Sequence, residues 1–475
     1  MILKQYYLGC LAHASYLIAD EKSKVAAIVD PQRDIEQYLE DAKAEGLSIR
    51  HVFLTHFHAD FLAGHIELRN RTGATIHMGA RAQAEFAVAH HRDGDVVEFG
   101  DVRLKILETP GHTPEGISIL IFDQAQTPEV PYAVLTGDTL FIGDVGRPDL
   151  LASIGVAADE LADMLYDSIQ RLKALPDITL VYPAHGAGSL CGKSLSKETV
   201  STIGEQKRFN YALQPMTREA FKEIVTEDQP EAPAYFVHDA VLNRQERRDL
   251  DRTMETSLRG MTVDEVLEAA RAGAQLLDVR ESIDFEGAHL AGALHVDLKG
   301  KYATWCGTLL DKSLPIVVIA DEGDENEAVM RLGRIGLDNV AGYLRGGMRA
   351  LETRSELVRK IERITAPALR QQLEAPRPPV IVDVRSEEEH RRGGIEGSLN
   401  IPLPHLTERI AGLPKDRTIV VHCEGGYRSA IAASVLEKNG LPNLLDLVGG
   451  YKAWTASGLA TSAEDSCATG RPCSR

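Results

Sequence analysis

A chain of 475 residues with 44% hydrophobic and 26% charged side chains is too long for one core and reads as an ordinary globular protein of about three domains. Its 70 acidic against 52 basic residues leave a formal charge of −18 with no basic block, which argues against nucleic acid as a partner. No apolar run reaches the ~18 residues of a membrane span, the N-terminus lacks a signal-peptide pattern, and the scattered cysteines form no disulfide framework, so the expected compartment is a reducing cytoplasm.

Up to residue 242, short β-rich runs ("KVAAIVD", "IRHVFL", "VRLKILETP", "YAVLTGD", "ITLVYPAHG") run into Gly, Pro, Asp, His or Thr, the pattern by which strands deliver side chains to a loop-borne site. After "IRHVFL" comes "THFHADFLAGH". In extended chain, residues two apart point the same way, so His56 and His58 can face one site with Asp60 behind them, which suits a metal. Further candidates lie at other run ends: His112 in "ETPGHTPEG", Asp138 in "LTGDTLF" and His185 in "YPAHGAGS". His13, His51, His65, His77, His90 and His91 have no ligand spacing and are expected to be ordinary core or surface residues.

Residues 243–260, "NRQERRDLDRTMETSLRG", have little apolar content and read as a linker. A repeat follows: "AQLLDVRESIDFEGAHLAGALHVDL" matches "PVIVDVRSEEEHRRGGIEGSLNIPL" at a shift of 105, and "PIVVIADEGDENEAV" matches "TIVVHCEGGYRSAIA" at 103. Two copies of one αβ domain are therefore expected, at 261–355 and 360–460, before a flexible tail at 461–475. In the second copy, Cys423 ends an apolar strand and is followed by Gly425, Gly426 and a helix expected from near Ser429 to Gly440. A thiol there sits among backbone N–H groups at a helix N-terminus, which favours the thiolate, and Arg428 adds positive charge. In the first copy Ala320 replaces the cysteine and Glu325 the arginine within an acidic "DEGDE", so that copy is expected to pack or space rather than react. Cys10 and Cys306 have no supporting context, and Cys467 and Cys473 lie in the tail.

The order H-x-H-x-D, "PGHTP", "GDTLF", "PAHG" resembles the metallo-β-lactamase fold over residues 1–242, an αββα sandwich with its metal site at one edge. Hydrolases of that superfamily such as glyoxalase II carry H-x-H-x-D-H and two metal ions. Here the last position is Phe61, and a phenyl ring cannot ligate, so a single ion is expected. The likeness narrows to the persulfide dioxygenase branch, and to a bacterial sub-branch of it, since the human-type motif keeps a histidine at the position of Phe61. That resemblance implies one Fe(II) per chain on His56, His112 and Asp138, a 2-His-1-carboxylate set with open positions for a persulfide sulfur and O2. His58, Asp60 and His185 would orient the ligands, and Tyr182 matches a family tyrosine near the iron, or else packs in the core. Arg147, in "GDVGRPD", would bind the carboxylate or phosphate of a thiol carrier, or else form a buried ion pair with Asp149. Cys191 would relay sulfane sulfur, or pack silently.

C-x-x-G-x-R at Cys423–Arg428, with "DVR" upstream and "GGYKAW" downstream, resembles rhodanese sulfurtransferases. Related phosphatases use C-x5-R, which would require arginine at Ser429. The expected architecture is thus α/β and multi-domain: an αββα sandwich, then two rhodanese-like domains, the first lacking the nucleophile. The implied function is oxidation of a low-molecular-weight persulfide by O2 to sulfite and thiol, coupled to transfer of sulfur through Cys423 to sulfite, giving thiosulfate, in sulfide detoxification. Partners would be persulfide, O2, sulfite and further copies of the chain, with neither nucleic acid nor membrane. The alternatives are a glyoxalase II-like thioester hydrolase and a persulfide carrier or sensor without turnover.

Overall fold

The computed structural model describes residues 1–150, 155, 157–227, 229 and 231–462. It divides into two compact units, Met1–Thr253 with Met330–Asp338, and Met254–Val329 with Asn339–Arg475.

Unit one holds two six-stranded sheets. The first runs in order from β1 (Ile2–Leu8), β2 (His13–Ala19) and β3 (Val25–Val29) to β4 (Ser48–Phe53), β5 (Thr75–Gly79) and β6 (Ala89–His91). Its first three strands are antiparallel and the rest join in parallel. The second consists of β7 (Val96–Phe99), β8 (Val102–Glu108), β9 (Ile117–Asp123), β10 (Ala133–Gly137), β11 (Leu180–Pro183) and β12 (Ser201–Thr202), each beside the next. Alternation along the strands supplies the core between the sheets: Ala14, Tyr16, Ile18, Val29 and Phe53 meet Leu104, Ile106, Ile119, Ile121 and Leu135. The outer face of the first sheet buries the helix Glu36–Ala44 through Tyr38 and Ala42. That of the second buries Leu165, Ile169 and Leu172 of the helix Ala158–Lys173 and Phe221 of the helix Arg218–Thr226. These layers are the αββα sandwich expected from sequence.

The segment read as a linker does more than connect. Asn243 is buried, its side-chain amide donates to the carbonyls of His58 and Phe61 (both 2.8 Å), and its oxygen accepts from Ala63 N–H (2.9 Å). A helix follows at Leu250–Ser257.

Three histidines without ligand spacing form a chain across β4, β5 and β6: His51 Nδ1 to His77 Nε2 at 3.0 Å, and His77 Nδ1 to His91 Nε2 at 2.8 Å. Burial, then His51 and His91, push His77 down to about 3. An unfolded histidine takes up its proton near its ordinary 6.5, so below that pH the unfolded chain binds a proton that the fold refuses. Stability is expected to fall by about 1.4 kcal/mol per unit as pH drops from ~6.5 to ~5. Thermal melts across that range should show the loss, and His77→Phe, stacking on Phe53 as His77 does, should flatten it.

Unit two contains two parallel five-stranded sheets of the same topology. One is ordered Gly260–Met261, Val340–Leu344, Ile316–Ile319, Gln275–Asp278, Leu294–His295, and the other Glu362–Ile364, Leu444–Leu447, Ile419–His422, Val380–Asp383, Leu399–Asn400. The repeat persists in side-chain detail: Asp278–Arg280 and Asp383–Arg385 form the same buried ion pair, each with its closest contact at 2.7 Å. Thr461 and Ser462, placed in the tail by sequence, instead pair with Ile395 and Gly394; Cys467 and Cys473 lie outside the described residues. Among the described residues no helix is long and apolar enough to cross a membrane.

Candidate metal centre and sulfurtransferase loop

The ends of β4, β8 and β10 bring His56, His112 and Asp138 together. All are buried, with one donor atom of each lying within 4.8 Å of the others. Asp138 Oδ2 is 3.7 Å from His56 Nε2 and 3.5 Å from His112 Nε2. Each imidazole is held from behind. His112 Nδ1 donates to the Arg147 carbonyl at 2.9 Å, and His56 Nδ1 meets Thr55 Oγ1 at 2.9 Å, so both Nε2 atoms face the centre. Burial, then His58, hold His56 well below its ordinary value and hence neutral. Burial alone would raise Asp138, but His185 and His56 outweigh it and hold the carboxyl well below the usual range. Two imidazoles and one carboxylate are the donors a divalent ion of the iron type takes. Gly146 is required here, because a Cβ would stand 1.9 Å from the Asp138 carbonyl oxygen.

His185 lies between two carboxylates, Nδ1 2.8 Å from Asp138 and Nε2 2.9 Å from Asp60. Although burial opposes it, the pull of Asp138 and Asp60 raises this imidazole well above its ordinary value. The ring bridges the two carboxylates, and Phe61 caps the neighbouring His58 ring at 4.4 Å. His58, Asp60 and His185 do form a second group of convergent donors, but a second ion there would have to displace contacts that His185 already makes on both sides.

Two candidates make the packing contacts that the sequence left open as alternatives. The Arg147 guanidinium is buried and bidentate on Asp149 (2.7 and 2.6 Å), so it is the structural ion pair and not a free anion binder; its backbone carbonyl is what serves the site. Tyr182 is half-buried on β11 with its ring edge-on to Tyr16 at 5.6 Å, a core contact. Cys191 does reach the site, within 4.8 Å of donor atoms of Asp138 and His185, and burial, then Asp60 and Asp138, keep it a thiol.

Two residues escape the sequence reading. Asp30, with a left-handed φ of 49°, accepts from Thr55 N–H and Oγ1 (both 2.8 Å) and stands 3.1 Å from His58 Nε2. The run "KVAAIVD" ending in this aspartate is the available signal. His13, expected to be an ordinary histidine, opens β2 and bridges backbone to backbone with His185, its ring 4.0 Å from Phe61.

In unit two, Cys423 follows Ile419–His422, its Sγ 3.1 Å from the Gly426 N–H and 3.8 Å from Ser429 Oγ. The helix begins at Tyr427, two residues before the expected start, because Gly426 adopts a φ of 114° that turns the chain early. Arg428 is bound bidentately by Glu389 (2.6 Å twice) and Glu424 by Arg385 (3.2 Å). The free positive charge expected of Arg428 is thus compensated, and the cradle is made by backbone N–H groups around Gly425 and Gly426. In the first repeat Ala320 occupies the place of Cys423, and Glu325 turns onto the Gly323 N–H at 2.8 Å.

The repeat without a nucleophile supports the loop of the other. Tyr427 Oη donates to the Asp297 carbonyl (3.1 Å), Ser434 Oγ accepts from His295 N–H (3.0 Å), and His289 Nε2 meets Glu437 (2.7 Å). A Cβ on Gly300 would stand 2.1 Å from the Tyr427 ring. Gly300→Val should therefore slow sulfur transfer about tenfold or more, whereas Tyr427→Phe, which loses the hydrogen bond to Asp297, worth about 1 kcal/mol, should cost only a few-fold. Initial rates and alkylation of Cys423 measure both.

The Metallo-beta-lactamase superfamily model matches residues 8–185, and the Rhodanese-like domain model matches 262–353 and 365–457. The chain belongs to the metallo-β-lactamase superfamily and carries two rhodanese-like domains behind that fold. Within the superfamily it belongs with the persulfide dioxygenases: Persulfide dioxygenase ETHE1, mitochondrial, of Bos taurus is 30% identical over 216 residues, 44% of this chain and 75% of that protein. Hydroxyacylglutathione hydrolase of Bradyrhizobium sp. (strain ORS 278) is 31% identical over 182 residues, 37% of this chain and 64% of that protein. Among solved structures, a metallo-β-lactamase from Staphylococcus aureus subsp. aureus COL aligns with a TM-score of 0.65 and 31% identity, over 72% of this chain and 98% of that one.

Proposed function

We propose that the N-terminal unit is a mononuclear non-haem iron persulfide dioxygenase and that Cys423 is a sulfurtransferase nucleophile acting on the same sulfur pool. The observation that carries the first half is the convergence of His56, His112 and Asp138 beside a second donor group, His58, Asp60 and His185, to which Phe61 adds no ligand. A ferrous ion on the triad would supply open coordination positions and redox chemistry with O2. The protein's own work is to fix that triad: Thr55 and the Arg147 carbonyl set the imidazole tautomers, and His185 keeps Asp138 ionised and aligned. Cys191 lies beside Asp138, but burial holds it as a thiol, which supports silent packing over a relay of sulfane sulfur, a step that needs the thiolate.

At the loop, a persulfide on Cys423 would be cradled by backbone N–H groups, and attack by sulfite on its outer sulfur would give thiosulfate and return the thiolate. Sulfite is the product of the first half, so the fusion would place producer and consumer on one chain, suiting sulfide detoxification in a reducing cytoplasm. Residues 1–242 and 360–460 are taken as the two catalytic domains, 261–355 as a support for the second, and the assembly as a homo-oligomer.

The test is to supply a low-molecular-weight persulfide to anaerobically purified protein, admit O2, and count products. Many equivalents of sulfite and thiosulfate per chain are expected, with matching oxygen uptake. Thioester hydrolysis without oxygen uptake would favour the hydrolase reading, and at most one sulfur bound per chain would favour a carrier.

A further inference from the structure

Beside the metal triad, three adjacent side chains carry buried polar atoms that no protein group satisfies. Both ring nitrogens of His13 and of His58 and Oδ1 of Asp60 lack a well-aligned hydrogen-bond partner among the described residues, as does Nε2 of the adjoining His185, although His58 Nε2 stands 3.1 Å from Asp30 and His185 Nε2 2.9 Å from Asp60. An unmet buried polar atom costs about 1–3 kcal/mol, so a cluster of them points to a polar occupant. The ring centroids of His13, His58 and His185 form a triangle with sides of 5.6, 5.5 and 6.2 Å, and Phe61 covers its His13–His58 edge at 4.0 and 4.4 Å. Donor atoms of His58, Asp60 and His185 also lie within 4.8 Å of one another.

We propose that His13, His58 and Asp60 hold one water molecule, and that this is the water consumed when sulfite leaves. A neutral imidazole offers one N–H and one lone pair and a carboxylate oxygen only accepts, which together meet the needs of a water. A divalent cation is disfavoured because both His185 nitrogens already face carboxylates and Phe61 contributes no donor. The use of the water rests on the dioxygenase reading; its presence does not. Oxidation of a persulfide by O2 adds both oxygens to the outer sulfur, RS–S⁻ + O2 giving RS–SO2⁻. The water oxygen then bonds to that sulfur and the S–S bond breaks, its electron pair leaving with RS. One water proton passes to RS and the other stays on the product: RS–SO2⁻ + H2O gives RSH + HSO3⁻. No further oxidant is needed. His13 and Asp60 act here as positioning residues that aim the water.

The experiment is a high-resolution crystal structure of the metal-loaded chain, together with sulfite release and oxygen uptake by wild type, His13→Phe and His13→Gln. A solvent oxygen within hydrogen-bonding distance of His13 and Asp60 is expected. His13→Phe should lose it and slow sulfite release about tenfold relative to oxygen uptake, the cost of about one well-placed hydrogen bond, whereas His13→Gln should restore both. A divalent cation in that position, or a dry cluster in the wild type, would overturn the proposal. So would sulfite release keeping pace with oxygen uptake in His13→Phe. Absence of any oxygen uptake by the wild type would instead remove the assigned use, while the crystal structure would still decide whether the water is there.

Discussion

Replacing His112 by alanine is expected to lower persulfide-dependent oxygen uptake by more than about a hundredfold and to strip most of the metal from the protein. The reason is geometric. His112 Nε2 is one of three converging donors, and its Nδ1 bond to the Arg147 carbonyl fixes the ring so that it can serve no other purpose. Loss even of a supporting group around a metal typically costs ten- to a hundredfold, and loss of a ligand costs more. The triad lies at strand ends and not in the cores between layers, so the variant should still melt cooperatively, near the temperature of the metal-free wild type. An oxygen electrode and metal analysis on the same preparation check both claims; equal uptake by variant and wild type would remove the dioxygenase assignment.

Cys423→Ser is expected to abolish thiosulfate formation, by at least about a thousandfold, and to leave oxygen uptake within about twofold of wild type. Oxygen in place of sulfur cannot carry a sulfane sulfur, while the fold barely notices: the cysteine is buried and its surroundings, the Gly426 N–H and Ser429 Oγ, accept a hydroxyl. The two halves of the chemistry reside in separate units, so each readout should report on one site. Following thiosulfate and sulfite in parallel separates them, and sulfite should accumulate in this variant.

The sequence exposed those parts of the molecule whose signals are local. Strand ends bearing His56, His112 and Asp138 were legible because β-rich runs stop where polar residues begin, and the two αβ repeats because their "DVR" segments preserve an ion pair two residues apart. Contributions that depend on distant chain were not. Asp30 supports His56 through Thr55, 25 residues away, and Asn243 reaches the carbonyl of His58 across 185. His13 has no ligand spacing, yet pairing of β2 beside the β11 loop puts it against Phe61. Arg147 was ambiguous because only Pro148 separates it from Asp149, and only the folded loop shows that the partner is taken. The support of Tyr427 by Gly300 joins two repeats that sequence treats as separate copies.

Metal identity and stoichiometry on protein isolated without oxygen tests the central claim most directly. One iron per chain, lost on chelation together with oxygen uptake, is the result expected of a site in which Phe61 takes the place of a donor to a second ion. Two zinc ions per chain, sustaining thioester hydrolysis, would contradict it.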